Sequence, residues 1–506
     1  MINIDGNSLT MAEIKSVASN FAKVKLTSEA VKKVVKCREY VEKIIARGDI
    51  VYGLTTGFGK FATITIPPEE IDQLQENLII SHATGVGNYL SQEEVRAIML
   101  LRLNVLAKGN SGIRLETLQL IIDMLNCGIH PRIPEKGSVG ASGDLAPLSH
   151  LAMVVIGRGE AEYQGQILPG AEALQKAGLA PARLKAKEGL ALNNGTQVMT
   201  GIMALNLLQA EKIVRLADVC AAISIDAQLG SSSAFDELVH QVRPHPGQIA
   251  SAKNLSRLLA ESSLRDSHMN CTYVQDAYSV RCTPQVHGAI RAALEYNRAV
   301  LEIEINAATD NPLIFPEQDK VISGGNFHGE PVAIAADSFG IAVAELASIS
   351  ERRMERILNP ALSRGLKPFL AAKPGFNSGF MIAQYTAAAL VSENKVLAHP
   401  SSVDSIPTSA NQEDHVSMGT IGAVKARTIL QNVAWVLGIE LMVSLQALED
   451  RDVATSPVLE KIHQFLRTKV ARLETDRYLK PDIDAMQEIF LQDELYNYIQ
   501  NLITLE

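Results

Sequence analysis

The chain has 506 residues, of which 47% are hydrophobic and only 5% are aromatic. This length is enough for two or three domains or for one elongated helical body. The 47 basic and 56 acidic residues leave a net charge of −9, and no basic block is present, which argues against nucleic acid as the main partner. The first residues show no basic run followed by an apolar run, so we predict no signal peptide and expect a cytoplasmic protein.

The cysteines are five in number, scattered, and without CxxC spacing. They predict reduced thiols rather than a disulfide framework or a zinc site, and no ligand spacing in the chain requires a metal. The residues concerned are Cys37, Cys127, Cys220, Cys271 and Cys282.

The first part of the chain alternates helical patterns with glycine-rich loops. Residues 8–47 show helical periodicity, and residues 52–59 then contain three glycines. Alone, this second pattern favours an ordinary loop in which Tyr52 is a packing residue; the functional alternative is a lid that carries a phenol over a site. A helical pattern over residues 71–80 leads to His82, which by itself is typical of a satisfied polar residue or a helix cap.

Residues 137–147 form the most unusual stretch of the sequence. Gly140 and Gly143 bracket Ala141 and Ser142 and can adopt backbone conformations that are closed to other residues. Asp144 is predicted to cap a buried helix that Gly157 would end. The pattern alone favours a tight loop with a capped helix behind it, because short glycine motifs have many false positives.

Three later polar segments interrupt apolar helical patterns. Asn194 fits either a helix cap or an amide donor that reaches a site. Tyr278 and Arg281 are three residues apart and share one face if their segment is helical, so a structural cation–π pair is the alternative to a functional role. Ionisable residues at 413–415 lie between apolar helices, which favours a buried site.

Long helices dominate the second half of the pattern, and a short polar stretch at 160–167 predicts a β-hairpin. The long segments are residues 198–235, 284–306, 331–358 and 419–448. The most apolar stretch contains Asp337 and Glu345, which favours buried bundle helices over membrane spans. The predicted fold is mainly α, with an N-terminal, mostly helical domain over residues 1–197 that carries the 137–147 loop, an elongated central bundle of long helices over 198–450, and a C-terminal helical cap over 451–506.

The loops considered together resemble, in order and spacing, the MIO-dependent aromatic amino-acid ammonia-lyases, a family that includes histidine ammonia-lyases. The resemblance spans essentially the whole chain and rests on seven loops, which contain Tyr52, His82, Ala141 to Gly143, Asn194, Gln275, Phe327 and Glu413. In that family the glycine amide nitrogen attacks the alanine carbonyl, and loss of two waters leaves the electrophile 4-methylidene-imidazole-5-one (MIO). The resemblance implies that Ala141, Ser142 and Gly143 form this group autocatalytically and that no external cofactor is needed.

Roles in the chemistry follow from the same resemblance. Arg281 is expected to clamp the substrate carboxylate with paired hydrogen bonds. Tyr52 is expected to take the β-proton, with Tyr278 as the alternative base. Because a phenol has a pKa near ~10, such a base needs a stabilised anion. Asn194 is expected to support the charge on the MIO carbonyl.

The remaining site residues concern the substrate and the triad. The resemblance implies that Gln275 orients the substrate and that Phe327 packs beside the triad. His82 and Glu413 are expected to meet the substrate imidazole, since an unpaired carboxylate would penalise a ring that cannot donate a hydrogen bond.

His82 and the adjacent Gln412 and Glu413 resemble the histidine branch of the family, whereas Thr55 stands where asparagine is commoner and resembles the tyrosine-type loop. The predicted activity is non-oxidative elimination of ammonia from L-histidine to give trans-urocanate, a step of histidine degradation. The alternatives are a tyrosine or phenylalanine ammonia-lyase, an MIO-dependent aminomutase and, from a different class, a non-catalytic helical scaffold. Because motif positions from 52 to 413 must converge, the resemblance implies a homotetramer with sites shared between subunits.

Overall fold

A computed structural model describes residues 1–269 and 273–506, and its described residues are mainly α-helical, which confirms the predicted fold class. Cys271 lies outside the described residues. The other four cysteines are free thiols. By spatial proximity the chain divides into two compact units, and the division into three consecutive segments stays a prediction. The first unit comprises residues 1–208, 297–337 and 400–425, and the second comprises 209–296, 338–399 and 426–506.

The first unit is built from helices of moderate length with small sheets between them. Its helices are Met11–Ala18, Ser28–Arg47, Ile71–His82, Gln92–Ala107, Leu115–Cys127, Leu145–Val155, Gly170–Lys176 and Glu188–Asn193. Its strands are Ile2–Ile4, Val24–Leu26, Val86–Tyr89, His130–Pro131, Pro134–Lys136, Glu160–Tyr163, Gln166–Pro169, Leu313–Phe315 and Lys320–Ile322. The strand Val24–Leu26 interrupts the segment that the sequence predicted to be helical from residue 8 to residue 47.

The small sheets follow simple pairings. Ile2–Ile4 runs parallel to Val24–Leu26. The predicted hairpin at 160–167 is present, since Glu160 pairs with Pro169 and Tyr163 pairs with Gln166. A second hairpin, which the sequence analysis did not predict, joins Leu313–Phe315 to Lys320–Ile322.

Caps explain where the helices of this unit begin and end. The Ser91 hydroxyl accepts a hydrogen bond from the Glu94 amide, and the Glu94 carboxylate accepts one from the Ser91 amide. This capping box starts Gln92–Ala107. Gly128 has a φ of 81° and ends Leu115–Cys127 in a left-handed conformation that glycine adopts readily. Nearly every side chain of Gln92–Ala107 is buried, so this helix forms the centre of the unit's core.

The second unit contains shorter helices in its own segments. These are Glu237–Gln241, Pro246–Leu258, Ser263–Asp266, Tyr278–Arg281, Met381–Leu397, Pro457–Arg467, Lys480–Leu491 and Glu494–Leu502. A buried carboxylate, Asp218, accepts hydrogen bonds from Ser251, Asn254, His287 and Arg291. Paired in this way, it satisfies the rule that a buried charge needs partners.

Four long helices have residues in both units. They are Gln197–Ala227, Thr283–Glu304, Glu330–Leu358 and Gly419–Glu449, close to the predicted segments. The first ends at Ala227 instead of the predicted residue 235, because Leu229 adopts a φ of 54° before Gly230. Glu330–Leu358 and Gly419–Glu449 are long and apolar enough to cross a membrane, but 61% and 83% of their most apolar stretches are buried inside the protein.

Candidate active site

The peptide around Ser142 is held against a second peptide at residues 194–196. Gly143 pairs with Gly195 in an isolated parallel bridge. The Asp144 amide donates to the Gly195 carbonyl at 2.7 Å, and the Gly195 amide donates to the Ser142 carbonyl at 3.3 Å. A Cβ at Gly143, which has a φ of +73°, would lie 2.1 Å from the Gly195 oxygen. Only glycine therefore allows the two backbones to approach this closely.

The other side of the same peptide contacts the segment before helix Gly419–Glu449. Gly140 has a φ of +70°, and a Cβ there would lie 2.1 Å from Ser417 Oγ, which donates to the Gly140 carbonyl at 3.2 Å. Ala141 is buried in a small apolar cluster with Val416 and Met418. The three predicted precursor residues thus lie in a compact, enclosed backbone.

Asp144 does not have the role that the sequence predicted. It precedes helix Leu145–Val155 but makes no side-chain capping bond there. Its Oδ2 instead accepts from the amides of Val198 and Met199 at 2.8 and 3.0 Å, at the start of Gln197–Ala227, where the helix dipole favours a negative charge. Thr420 donates to Oδ1 at 2.5 Å. Complete burial nevertheless raises the pKa of this carboxyl to about 6.

A cavity of about 710 Å³ lies above Ser142, and all its lining residues belong to the first unit. It brings together five predicted site residues that are distant in sequence: Tyr52, His82, Ser142, Asn194 and Glu413. A second cavity of about 240 Å³ is lined by Ala141 and Gly143 and also by His82 and Glu413. The predicted convergence of these loops is therefore present within one chain.

Glu413 makes the one side-chain hydrogen bond that the described residues offer to Ser142. The Ser142 hydroxyl donates to Glu413 Oε1 at 3.3 Å, and Thr408 Oγ1 donates to Oε2 at 2.8 Å. Backbone bonds between Thr408 and Glu413, at 2.9 and 3.3 Å, join the two residues further. The carboxylate is half-buried and faces the residue whose hydroxyl must leave if MIO forms.

Tyr52 lies in the loop 51–59 and is half-buried. Its hydroxyl oxygen accepts from the Gly59 amide at 3.1 Å, a bond that favours the phenolate. Burial and the negative charge of Glu413 outweigh it and raise the pKa of Tyr52 above its usual value. This direction is opposite to the one that the sequence analysis required of a base at neutral pH.

His82 ends helix Ile71–His82, and its Nδ1 lies 3.0 Å from Ser81 Oγ. Burial lowers the pKa of the ring, while the Leu78 backbone and the charge of Glu413 oppose that shift. The imidazole is therefore neutral at neutral pH and has one donor and one acceptor nitrogen.

Asn194 lies just after helix Glu188–Asn193 and is 3% exposed. Its Oδ1 is buried and has no hydrogen-bond partner among the described residues. Arg102, fully buried in Gln92–Ala107, donates to the Asn194 carbonyl at 2.8 Å and to Gln197 Oε1 at 2.7 Å. The Arg102 guanidinium therefore holds the backbone of Asn194 in place.

Gln275, Tyr278 and Arg281 belong to the second unit, so they lie outside the unit that lines the cavity. Tyr278 and Arg281 share the short helix Tyr278–Arg281, as their spacing predicted, and the guanidinium carbon lies 4.5 Å from the Tyr278 ring centroid. Arg281 Nε donates to the Asp276 carbonyl at 3.0 Å. In the part of the chain that the structure describes, no side-chain carboxylate pairs with Arg281. The Tyr278 side chain is 71% exposed.

Phe327 is half-buried and precedes His328, and its contact with the triad stays a prediction. Next to it lies a cluster that the sequence analysis did not predict, in which ligand atoms of His328, Glu330 and His415 are all within 4.8 Å of one another. The two imidazole rings are stacked with centroids 5.7 Å apart.

Thr55, the residue that resembles a tyrosine-type loop, is buried and does not line the cavity. Its hydroxyl accepts from the Val51 amide at 2.9 Å and donates to the Asp49 carbonyl at 3.0 Å. The side chain stabilises the turn, so any effect on substrate choice would be indirect.

Sequence reasoning missed several residues that build the site. Thr408 sits in an irregular segment without a distinguishing pattern, and Gly195 acts through its backbone amide. Arg102 did carry a signal, because an arginine inside an apolar helix must find buried partners.

The fold and this site define a class: a helical protein with a tightly held Ala-Ser-Gly peptide beneath a cavity lined by ionisable groups. The aromatic amino acid lyase family model matches residues 9–468, and the chain belongs to that family. A histidine ammonia-lyase of Alkaliphilus metalliredigens is 52% identical over 505 residues, which cover 100% of this chain and 99% of the relative.

Two solved structures are also similar to the chain. The crystal structure of histidine ammonia-lyase from Trypanosoma cruzi is 43% identical, with a TM-score of 0.91 and coverage of 99% of this chain and 95% of that one. Tyrosine aminomutase from Streptomyces globisporus is 38% identical, with a TM-score of 0.95 and full coverage of both chains. The recognition of the family from its loops is thus confirmed.

Proposed function

We propose that this chain eliminates ammonia from L-histidine to give trans-urocanate, using an MIO group made from Ala141, Ser142 and Gly143. The observation that carries the proposal is the single cavity that contains Ser142, His82 and Glu413. The identity of about half of all residues to a full-length histidine ammonia-lyase supports the choice of substrate.

The residues present fit the MIO group. Its formation requires a nitrogen pressed against the carbonyl two residues before it. The close approach of Gly143 to Gly195 supports such a role, because it holds the backbone at Gly143 in one tight position. When formed, MIO supplies an electrophile, which side chains lack. We assign to Asn194 the support of charge that develops on the carbonyl of residue 142. The bond from the Gly195 amide to that carbonyl, at 3.3 Å, supports the assignment of charge stabilisation to this part of the site.

Substrate recognition is assigned to groups on the cavity wall. A neutral His82 and the Glu413 carboxylate offer acceptors to the imidazole N–H of histidine, and a phenyl ring would leave the carboxylate unpaired. Tyr52 takes the β-proton, with Tyr278 as the alternative base. Because the pKa of Tyr52 is raised, we propose that substrate binding or a neighbouring subunit adds donors to the Gly59 amide that already bonds to the phenol.

The carboxylate of the substrate is assigned to Arg281 and its orientation to Gln275, while Phe327 packs beside the triad. Because the family resemblance implies shared sites and Arg281 pairs with no described carboxylate, we propose a homotetramer in which sites are completed by other subunits. We also propose a cytoplasmic location, which the family membership supports.

A substrate panel tests the function. Purified protein is incubated with L-histidine, L-tyrosine or L-phenylalanine, and product is followed in the near ultraviolet. We expect a new chromophore from histidine. A preparation that consumes tyrosine and leaves histidine unchanged would instead support the tyrosine ammonia-lyase or aminomutase alternative, which the tyrosine aminomutase structure keeps open.

Two variants sharpen the assignment of the substrate. His82→Leu should lower kcat/KM for histidine by about 10- to 200-fold, because one ring contact is lost. Thr55→Asn is the matched control, since Thr55 does not line the cavity; its histidine-to-tyrosine preference should equal that of the unmodified protein. A changed preference in Thr55→Asn alone would contradict the assignment to His82.

A further inference from the structure

The formation of MIO needs two separate losses of water, and the second one occurs at Ser142. In that step Ser142 loses its Cα proton and its hydroxyl, so a group beside the hydroxyl must move a proton. We propose that the Glu413 carboxylate is this group and therefore catalyses maturation of the site. The inference rests on the proposed function, because it concerns how the same MIO group is made.

One carboxylate oxygen of Glu413 lies at the hydroxyl that leaves, and Thr408 holds the other oxygen. Oε1 lies 3.3 Å from Ser142 Oγ, while Oε2 is bonded to Thr408 Oγ1 at 2.8 Å. The connecting turn Ser409–Asn411 has positive φ angles of 51°, 51° and 65°, a conformation that costs energy in residues other than glycine. Strain of this kind is expected where a side chain must be held for chemistry.

Asp144 is the carboxylate nearest to the triad in sequence, but it is already engaged. Both of its oxygens accept hydrogen bonds, from Thr420 and from the amides of Val198 and Met199. It is also completely buried. Asp144 therefore anchors the backbone, and the hydroxyl of Ser142 bonds to the carboxylate that lies 271 residues away along the chain.

The backbone supplies the second requirement of the step. The Gly195 amide donates to the Ser142 carbonyl at 3.3 Å, so it is placed to stabilise the enolate that forms when the Cα proton is removed. A Cβ at Gly195 would lie 2.7 Å from the Thr309 carbonyl, which keeps this residue small and its amide in place.

The step balances without any further reagent. After Gly143 N has bonded to the Ala141 carbonyl carbon and the first water has left, Glu413 takes the Cα proton of residue 142. The electrons of that C–H bond are held first as the enolate of the Ser142 carbonyl and then form the Cα=Cβ double bond as the Cβ–Oγ bond breaks. The departing oxygen takes the proton from Glu413 and leaves as water, so Glu413 returns to its carboxylate form.

Intact-mass measurement of full-length proteins tests the proposal independently of turnover. The unmodified protein should be lighter than its sequence mass by two waters. Glu413→Gln should be lighter than its own sequence mass by at most one water, because the Ser142 hydroxyl stays in place. Ser142→Ala is the reference for a chain that cannot undergo the second dehydration, since it has no hydroxyl to lose. Asp414→Asn is the matched control, since it removes a neighbouring, exposed carboxylate, and it should lose both waters.

If Glu413→Gln folds poorly, a second variant tests the same proposal. Glu413→Asp keeps the carboxylate, and a time course of mass after cell-free synthesis should show the second loss slowed by about 10²-fold or more relative to Asp414→Asn. Thr408→Val, which frees Oε2, should slow it to a smaller extent.

The outcomes separate two failures. If Glu413→Gln loses both waters as fast as Asp414→Asn, Glu413 does not move the proton, although the proposed function stands. If the unmodified protein keeps both waters while turning over histidine, no MIO group is involved and the proposed function itself must be revised.

Discussion

Two glycines of the first unit, Gly143 and Gly59, lie in loops that border the same cavity, but an added Cβ would meet a different kind of neighbour at each. In the loop at 137–143, an added Cβ at Gly143 would meet the backbone of Gly195 at 2.1 Å. In the loop at 53–59, an added Cβ at Gly53 or Gly59 would meet the end of a side chain, Leu190 Cδ2 at 2.7 Å or Ser409 Oγ at 2.5 Å.

The kind of neighbouring atom, backbone or side chain, indicates how far each loop can adjust. At Gly143 the neighbouring atoms belong to the backbone of Gly195, which cannot rotate away as a side chain can. This part of the first loop is therefore held in one tight conformation, which suits cyclisation. The side-chain ends near Gly53 and Gly59 can rotate away, whereas an added Cβ at Gly57 would meet the Phe61 carbonyl at 2.8 Å. We therefore expect the second loop to adjust around a substrate near Gly53 and Gly59.

Gly143→Ala should have the largest effect. The added methyl has no space, and a φ of +73° is unfavourable for alanine, so we expect the two waters to be retained and turnover to be lost. The unfolding free energy should fall by about 2–5 kcal/mol. Intact mass and urea denaturation measure both effects, and a variant that matures normally would contradict the compressed-backbone interpretation.

Tyr52→Phe should mature normally but lower kcat by about 10²- to 10⁴-fold, the range expected when a general base is removed. Because the pKa of Tyr52 is raised, its anion is scarce at neutral pH, and kcat/KM should rise with pH in the unmodified protein. The pH profile of Tyr52→Phe should lack that rise. A Tyr278→Phe variant is the comparison, and the larger loss there would transfer the role of base to Tyr278.

Asp144→Asn probes the anchor of the first loop through pH. The folded pKa of about 6 lies above the ordinary value of 3.8, so the folded state binds more protons between these values. The contribution of this group is most favourable below the ordinary pKa and is lost as pH rises through the folded one, by about 3 kcal/mol in total. The variant lacks this dependence, so its stability relative to the unmodified protein should improve between about pH 4 and pH 7. Urea denaturation at several pH values measures the difference, and a constant difference would contradict the raised pKa.

Gly59→Ala should have the smallest effect and serves as the counterpart of Gly143→Ala. Its φ of +52° costs about 1–2 kcal/mol in alanine, while Ser409 can rotate away from the methyl. Intact mass should show both waters lost, and kcat should change more than stability does. Retention of the waters would show that the second loop also takes part in maturation.

The sequence predicted the helices and the identity of the loops because both depend on local patterns and on a resemblance across the chain. Glycines at 140 and 143 already indicated unusual backbone conformations. The prediction that Asp144 caps the helix after it was wrong. Its position before that helix did not indicate that the amides at the start of another helix, at Gln197, would bind the same carboxylate.

Other parts of the site depend on contacts that local patterns do not encode. The bond between Ser142 and Glu413 joins residues 271 positions apart, and Thr408 acquires a role only through it. The direction of the pKa shift of Tyr52 likewise depends on burial and on Glu413, neither of which is visible in the loop sequence. Local sequence therefore specified which groups are present, while tertiary packing decided what each one faces.

The bond from the Ser142 hydroxyl to Glu413 has one more consequence. If that hydroxyl departs as water, Oε1 loses its internal donor and becomes available to an incoming imidazole. In an unprocessed chain, Glu413, which we propose as a recognition group for the substrate, already accepts a hydrogen bond from Ser142. Formation of MIO would therefore free Glu413 to bind the substrate. Chains that have not yet formed MIO would bind the amino acid less tightly than chains that can convert it.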